Sequence, residues 1–140
     1  MPVPVWFAPW KPGPAGADGE PGGAAVVSVT GFAPYRPWTS LGVHVTGLAL
    51  RRTWDVTEGA VGLWLWSVPG LLRPHSGSVS VWRDEEHLRG FVARPDHVRV
   101  MRTYRDRGAV RSATWRTDGF DQGATQDAAR SLIEKWHTRL

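Results

Sequence analysis

Cysteine is absent from the 140-residue chain, which excludes disulfide bonds, thiolate catalysis and cysteine-ligated zinc and fits a reducing compartment. Long apolar runs are absent as well, since none approaches the roughly 20 residues that span a bilayer. The segment MPVPVWFAPWKPGP has no basic start and no uninterrupted apolar stretch, so it does not resemble a secretory signal. We therefore expect a cytoplasmic protein with no membrane partner.

Common catalytic and metal-binding motifs are also missing. The glycines form no phosphate-binding loop, and no Gly-x-Ser-x-Gly nucleophile elbow is present. No metal site is predicted, because no zinc-like spacing connects the histidines His44, His75, His87 and His137.

The charge balance is basic, with a formal net charge of +4. Such a balance raises the expectation of a nucleic-acid partner. However, the arginines are spread over predicted helices and strands, and neither a basic cluster nor an RNA-binding motif is present. We therefore expect no nucleic-acid partner.

Proline and glycine are concentrated in residues 1–24, so we interpret this segment as a mobile N-terminal arm that forms no regular element. The arm also contains Trp6, Phe7 and Trp10, and we expect these rings to pack onto the domain or onto a partner subunit. Residues 25–140 are then one domain, long enough for a single hydrophobic core.

The domain alternates strand and helix patterns. Alternating, β-branched segments predict strands over residues 25–30, 60–68, 78–82 and 109–116. A helix is predicted over residues 41–54, with an inner apolar stripe of Leu41, Val45, Leu48 and Ala49. The order is β-α-β-β-α-β with an extra C-terminal helix over residues 124–138, which predicts an α+β, ferredoxin-like fold.

The central stretch, residues 77–108, contains the clearest helix signals. Asp84 can cap a short helix, and Glu85 and Glu86 suit the positive end of its dipole. Pro95 ends that helix and begins the next one. One face of this second helix carries residues at i, i+3, i+4 and i+7, namely His97, Val100, Met101 and Tyr104.

A ferredoxin-like sheet has helices on one face only, which leaves the other face bare. Strand 60–68 is apolar on both faces, since Leu63 and Leu65 point one way and Trp64 and Trp66 the other. Both faces should therefore be buried. We expect a second copy of the chain to cover the bare face, which gives a homodimer.

The sequence resembles the dimeric α+β barrel superfamily. The resemblance is carried by VWRDEE at residues 81–86, by Leu88 and Phe91, and by the break Pro95-Asp96-His97. Within it, the sequence resembles the antibiotic-biosynthesis-monooxygenase group and spheroidene-monooxygenase-like proteins, and the resemblance implies a homodimer that closes a barrel. The superfamily includes cofactor-free monooxygenases, haem-degrading monooxygenases, other haem-dependent enzymes, isomerases and proteins with no known activity.

The resemblance also assigns positions within a site. In the haem-degrading branch, a haem-ligating histidine and a helical tryptophan correspond to Met101 and Phe91 of this sequence, so that signature is absent here. His97 lies next to the place of a histidine that often follows the proline-containing break in the antibiotic-monooxygenase group.

His97 is the first candidate site residue, because an imidazole can act as a base, a hydrogen-bond donor or an iron ligand. A packed structural histidine is the alternative. Tyr104 shares its helix face and is expected near the same pocket. Aromatic residues from several strands suggest a cavity for a flat apolar ligand, with core or interface packing as the alternative. The expected lining is Trp64, Trp66, Trp82, Phe91, Met101 and Trp115.

We therefore expect a small-molecule monooxygenase-like protein acting on an apolar or polycyclic substrate. In cofactor-free members of the superfamily the substrate itself supplies electrons to oxygen, and the protein contributes a dry cavity and a base. No cofactor is expected. The alternatives are a non-catalytic ligand-binding or assembly dimer of the same fold and a haem-dependent enzyme.

Overall fold

The computed structural model describes residues 4–15, 23–36, 38–69 and 74–138. Its strands are β1 (Trp6–Phe7), β2 (Lys11–Pro12), β3 (Ala25–Pro34), β4 (Ala60–Val68), β5 (His75–Trp82) and β6 (Gly108–Thr117). Its helices are α1 (Thr39–Arg52), α2 (Glu85–Val92), α3 (Pro95–Tyr104) and α4 (Gln122–Thr138), with a short 3₁₀ turn at Trp54–Val56. None of the described helices is long and apolar enough to cross a membrane.

The sheet has the strand order β1-β4-β5-β3-β6, and β2 also pairs with β4. Every neighbouring pair is antiparallel. The chain passes from β3 to β4 through α1, and from β5 to β6 through α2 and α3. The order β4-β5-β3-β6 is that of the ferredoxin-like βαββαβ unit. The predicted α+β, ferredoxin-like fold with an extra C-terminal helix is therefore confirmed.

The predicted helix starts after β5 are also confirmed. The Asp84 carboxylate accepts a hydrogen bond from the His87 N–H at 2.9 Å, which is the geometry of an N-cap. Pro95 is the first residue of α3, where its fixed φ suits a helix. Local cap and break signals thus decide where both helices begin.

The sheet is covered on both faces within the chain. Val27 and Val29 of β3 are fully buried in a cluster with Ala129 and Ile133 of α4. Val26 points the other way, into a second cluster on the side of α1 and α2. The expectation of a bare sheet face is therefore wrong, because α4 lies on it. The homodimer is still predicted from the family resemblance, but a bare sheet face no longer supports that prediction.

The N-terminal segment adds β1 and β2 to the edge of β4, so the expectation that the arm forms no regular element is wrong. Phe7 and Trp10 pack against Trp64, with ring centroids 6.3 Å and 4.4 Å away, and Trp10 also stacks on Phe120 at 5.7 Å. These rings anchor the described part of the arm to the domain. Residues 1–3 and 16–22 of the predicted arm lie outside the described residues.

α1 presents its glycines to the sheet. Gly42 and Gly47 lie on its inner side, where a β-carbon would meet Tyr104 and Leu65 respectively. These two glycines lie on the inner side of α1 together with Leu50, which packs against the cluster of Trp54 and Trp82. The predicted inner stripe is therefore wrong, and all its members are exposed: Leu41, Val45, Leu48 and Ala49.

Candidate functional site

A cavity of about 490 Å³ lies between the sheet and the helices α1 and α3. Sheet residues form its floor and include Thr30, Phe32, Leu65 and Ser78. Helix residues form its walls and include Val43, His44, Gly47, Met101 and Tyr104. Its volume falls in the range of roughly 300–1,000 Å³ that is typical of small-molecule sites.

Small residues on facing surfaces keep this space open. On α1, a β-carbon at Gly47 would already touch the two methyl groups of Leu65, at 3.6 Å and 3.7 Å. On the floor, Thr30 and Ser78 are paired across β3 and β5. A helix-interior glycine costs about 1 kcal/mol relative to alanine, so the chain keeps this space at some cost in helix stability.

The cavity lining is predominantly apolar. Among the described residues it contains no carboxylate, lysine or arginine side chain. Its polar groups include the Tyr104 hydroxyl and the His44 imidazole, together with smaller hydroxyl side chains. The Tyr104 ring packs edge-on against Phe32, with centroids 5.9 Å apart. Such a lining can enclose an apolar ring system and offer it a few hydrogen bonds.

Three of the residues predicted for the site line this cavity: Met101, Tyr104 and Trp66. Met101 and Tyr104 share a face of α3, as their spacing predicts. Trp66 borders the cavity only from β4, because its ring is buried in the cluster on the α4 side. There it packs against Gly77 and Gly31, where β-carbons would lie 2.8 Å and 3.0 Å from its Cζ2 atom. The structure thus brings the α3 pair together at the cavity, whereas the Trp66 ring lies on the α4 side of the sheet.

The other predicted lining residues pack elsewhere. Trp64 and Trp115 belong to the cluster on the α4 side. Trp82 is fully buried on the helix side, with its ring centroid 5.2 Å from that of Phe91. Val79 pairs with Trp64 and points to the face opposite Trp82, because side chains alternate along a strand. The four predicted tryptophans therefore do not line one cavity.

His97 lies outside the cavity lining and packs against Phe91 of α2, with ring centroids 5.2 Å apart. Its Nδ1 atom is buried and has no hydrogen-bond partner of acceptable geometry among the described residues. Burial lowers the pKa of His97 below its ordinary value of 6.5, and the Val92 carbonyl and the Asp96 carboxylate only partly oppose this. These contacts favour a packed structural histidine over a base in the cavity.

The residues of the cavity do not fit a haem held as in the haem-degrading branch. The position that the resemblance assigns to the ligating histidine is Met101, and the His97 ring is packed against Phe91 instead. In the part of the chain that the structure describes, no group of 3 or more His, Cys, Asp or Glu side chains could hold a metal ion. The few polar side chains of this cavity suit a binding site for an apolar ligand.

The sequence predictions missed His44, which lines the cavity from α1. The available signal was the pair Gly42 and Gly47, since glycine inside a helix often has a packing reason. If the inner side of α1 had been predicted from its glycines instead of its leucines, Val43 and His44 would have been expected at the cavity.

No family model and no curated protein matches this chain. Two solved structures are similar to it in fold. A mutant of SnoaB, a cofactor-independent oxygenase from Streptomyces nogalater, is 15% identical with a TM-score of 0.48, and the match covers 65% of this chain and 90% of that one. A protein from Bacillus cereus, described as an antibiotic biosynthesis monooxygenase, is 15% identical with a TM-score of 0.49, over 71% and 98% of the two chains. Both are similarities of fold and assign no activity to this chain.

Proposed function

We propose that this chain is a monooxygenase-like protein that binds an apolar or polycyclic small molecule between the sheet, α1 and α3, and oxygenates it without a resident cofactor. The observation that carries the proposal is the cavity of about 490 Å³ with its predominantly apolar lining. An apolar lining of this kind favours the binding of apolar rings. The fold is compatible with this chemistry but also hosts other functions.

The proposed reaction uses a substrate with an acidic C–H bond, such as the methylene group of an anthrone. A base removes one proton, and the resulting carbanion transfers electrons to O₂ and forms a C–O bond. The O–O bond of the peroxide then breaks, the second methylene hydrogen leaves as a proton, and the products are a ketone and water. The electrons lost by the substrate equal those gained by the two oxygen atoms, so no external reductant is needed.

Two polar side chains of the lining are proposed to serve this reaction. The Tyr104 hydroxyl donates a hydrogen bond to the substrate oxygen on which negative charge collects. The His44 imidazole accepts the proton. Met101 supplies apolar contact surface. His97 is a positioning residue in this proposal and supports α3 through its contact with Phe91.

Incubation of the purified protein with anthrone, EDTA and ¹⁸O₂ tests the proposal. We expect anthraquinone that carries ¹⁸O in its new carbonyl group, formed faster than in buffer alone. Tyr104→Phe should slow the reaction by about tenfold, whereas Tyr35→Phe removes the hydroxyl of an exposed tyrosine and should leave the rate unchanged. Equal rates with and without protein would exclude oxygenation of this substrate class, and equal losses in both variants would exclude the role of Tyr104.

A non-catalytic assembly dimer is the second candidate, because α1 exposes an apolar row: Leu41, Val45 and Leu48 are 73%, 60% and 55% exposed. Exposed apolar rows often mark interaction surfaces. In this case a second copy would bind along α1, and Leu41→Glu should reduce the native mass from that of a dimer to that of a monomer. Val56→Glu, at an exposed position outside α1, should not. A monomeric mass for the unaltered protein would remove this candidate.

A further inference from the structure

A second cavity opens beside the first, at the start of α1. Its volume is about 340 Å³, and its lining consists of Arg36, Trp38, Thr39, Gly42, Tyr104 and Arg107. Tyr104 lines both cavities, and Gly42 of the second adjoins Val43 of the first along the helix. The Tyr104 side chain therefore stands between an apolar space and a space with two arginines.

Arg36 and Arg107 form no ion pair with a carboxylate among the described residues, whereas several other arginines of the chain do. The lining of the second cavity contains no carboxylate. Asp106, the sequence neighbour of Arg107, lies 4.0 Å from Arg105. The positive charge of this space is thus left uncompensated by the described part of the chain.

Backbone and ring contacts hold the two arginines on neighbouring segments. The Arg107 N–H donates to the Tyr104 carbonyl at 2.9 Å, and the Tyr35 N–H donates to the Arg107 carbonyl at 2.9 Å. Arg36 directly follows Tyr35, and its guanidinium carbon lies 5.3 Å from the ring centroid of Trp38. Both arginines therefore extend from backbone that is fixed beside Tyr104.

We infer that the second cavity binds an anionic group of the carboxylate class, carried by the same ligand whose apolar rings occupy the first cavity. Guanidinium groups bind carboxylates through paired N–H donors, and the Trp38 ring beside Arg36 restricts the orientations of that side chain. The inference rests on the proposed function, because it requires an apolar ligand in the first cavity. It narrows the substrate class to flat apolar molecules with an acidic substituent at one end.

A pair of probes with the same rings separates this inference from the proposed function. Binding of anthraquinone-2-carboxylate and of anthraquinone-2-carboxamide is measured by the quenching of tryptophan fluorescence. We expect the carboxylate to bind about fivefold more tightly at low salt, and the difference to shrink at high salt. In the double variant Arg36→Gln/Arg107→Gln the two probes should bind equally, with the affinity for the carboxamide unchanged.

Arg83→Gln is the matched control, because Arg83 is exposed and belongs to neither lining. It should retain the full preference for the carboxylate. Equal binding of both probes to the unaltered protein, or a preference that survives the loss of both arginines, overturns the inference. Binding of the carboxamide without such a preference leaves the proposed function standing, whereas failure of both probes to bind contradicts both proposals. If circular dichroism shows that the double variant does not fold, the single variants are compared, and an unchanged preference in each overturns the inference.

Discussion

The hydroxyl of Tyr104 on α3 lies against the backbone of Gly42 on α1, so closely that a β-carbon at position 42 would come within 2.5 Å of it. This contact joins the two helices at the boundary between the two cavities. Gly42 is therefore needed for the position of the phenol rather than for a turn. A larger residue at position 42 should therefore displace the Tyr104 side chain, which borders both cavities.

Gly42→Ala should displace the Tyr104 phenol and weaken the binding of anthraquinone-2-carboxamide by about fivefold. Gly90→Ala is the control, because a β-carbon at that position of α2 would meet no atom within 4 Å. Alanine should raise the free energy of unfolding by about 0.5–1 kcal/mol at Gly90, and the displaced phenol should offset this gain at Gly42. Urea unfolding and fluorescence quenching measure the two effects. Equal stabilisation at both positions with unchanged binding would refute the contact.

The fold could be predicted because its elements carry local signals. Asp84 marks a helix start, Pro95 marks a break, and the alternation of apolar residues marks the strands. Their order then selects the ferredoxin-like unit. The covering of the sheet could not be predicted, because the contact of Ala129 and Ile133 with β3 joins distant parts of the chain and has no local signature.

The site could be predicted only in part. Helical spacing placed Met101 and Tyr104 on one face of α3, and both line the cavity. His97 begins the same stripe, but it packs against Phe91 because α2 lies beside that end of α3. The orientation of α1 was missed because apolar periodicity follows the large residues, while here the glycines face the sheet.

Loss of the Asp84 cap should destabilise α2. Asp84→Ala removes the acceptor of the His87 N–H, and the loss of an N-cap costs about 1 kcal/mol. The same N–H holds the pKa of Asp84 below its ordinary value of 3.8, so the contribution is present at neutral pH and is lost as the pH falls through the lowered pKa. Asp118→Ala, at an exposed aspartate in the turn before α4, is the control. Equal unfolding free energies for the two variants at pH 7 would mean that the cap contributes nothing.

His97 should make the protein less stable as the pH falls below about 6.5. Burial lowers the pKa of His97 in the folded state, whereas the unfolded chain keeps the ordinary value of about 6.5. Between these two values the unfolded state binds more protons, so the free energy of unfolding decreases as the pH decreases. His97→Leu removes this dependence, and its stability relative to the unaltered protein should rise from pH 8 to pH 5. Urea unfolding across this range measures the difference, and parallel curves would rule out the effect.

Filling the cavity tests whether the proposed oxygenation takes place between the sheet, α1 and α3. A β-carbon at Gly47 would already touch Leu65, so in Gly47→Leu the remaining atoms must enter the cavity. Ala49→Leu places the same side chain at an exposed position of the same helix and serves as the control. Circular dichroism establishes that both variants are folded before activity is compared.

The decisive measurement is the rate of oxygen uptake with anthrone by these two variants. We expect the rate of Gly47→Leu to fall by about tenfold, while Ala49→Leu keeps the rate of the unaltered protein. If folded Gly47→Leu consumes oxygen at the unaltered rate, the reaction does not take place in this cavity and the proposed function is wrong.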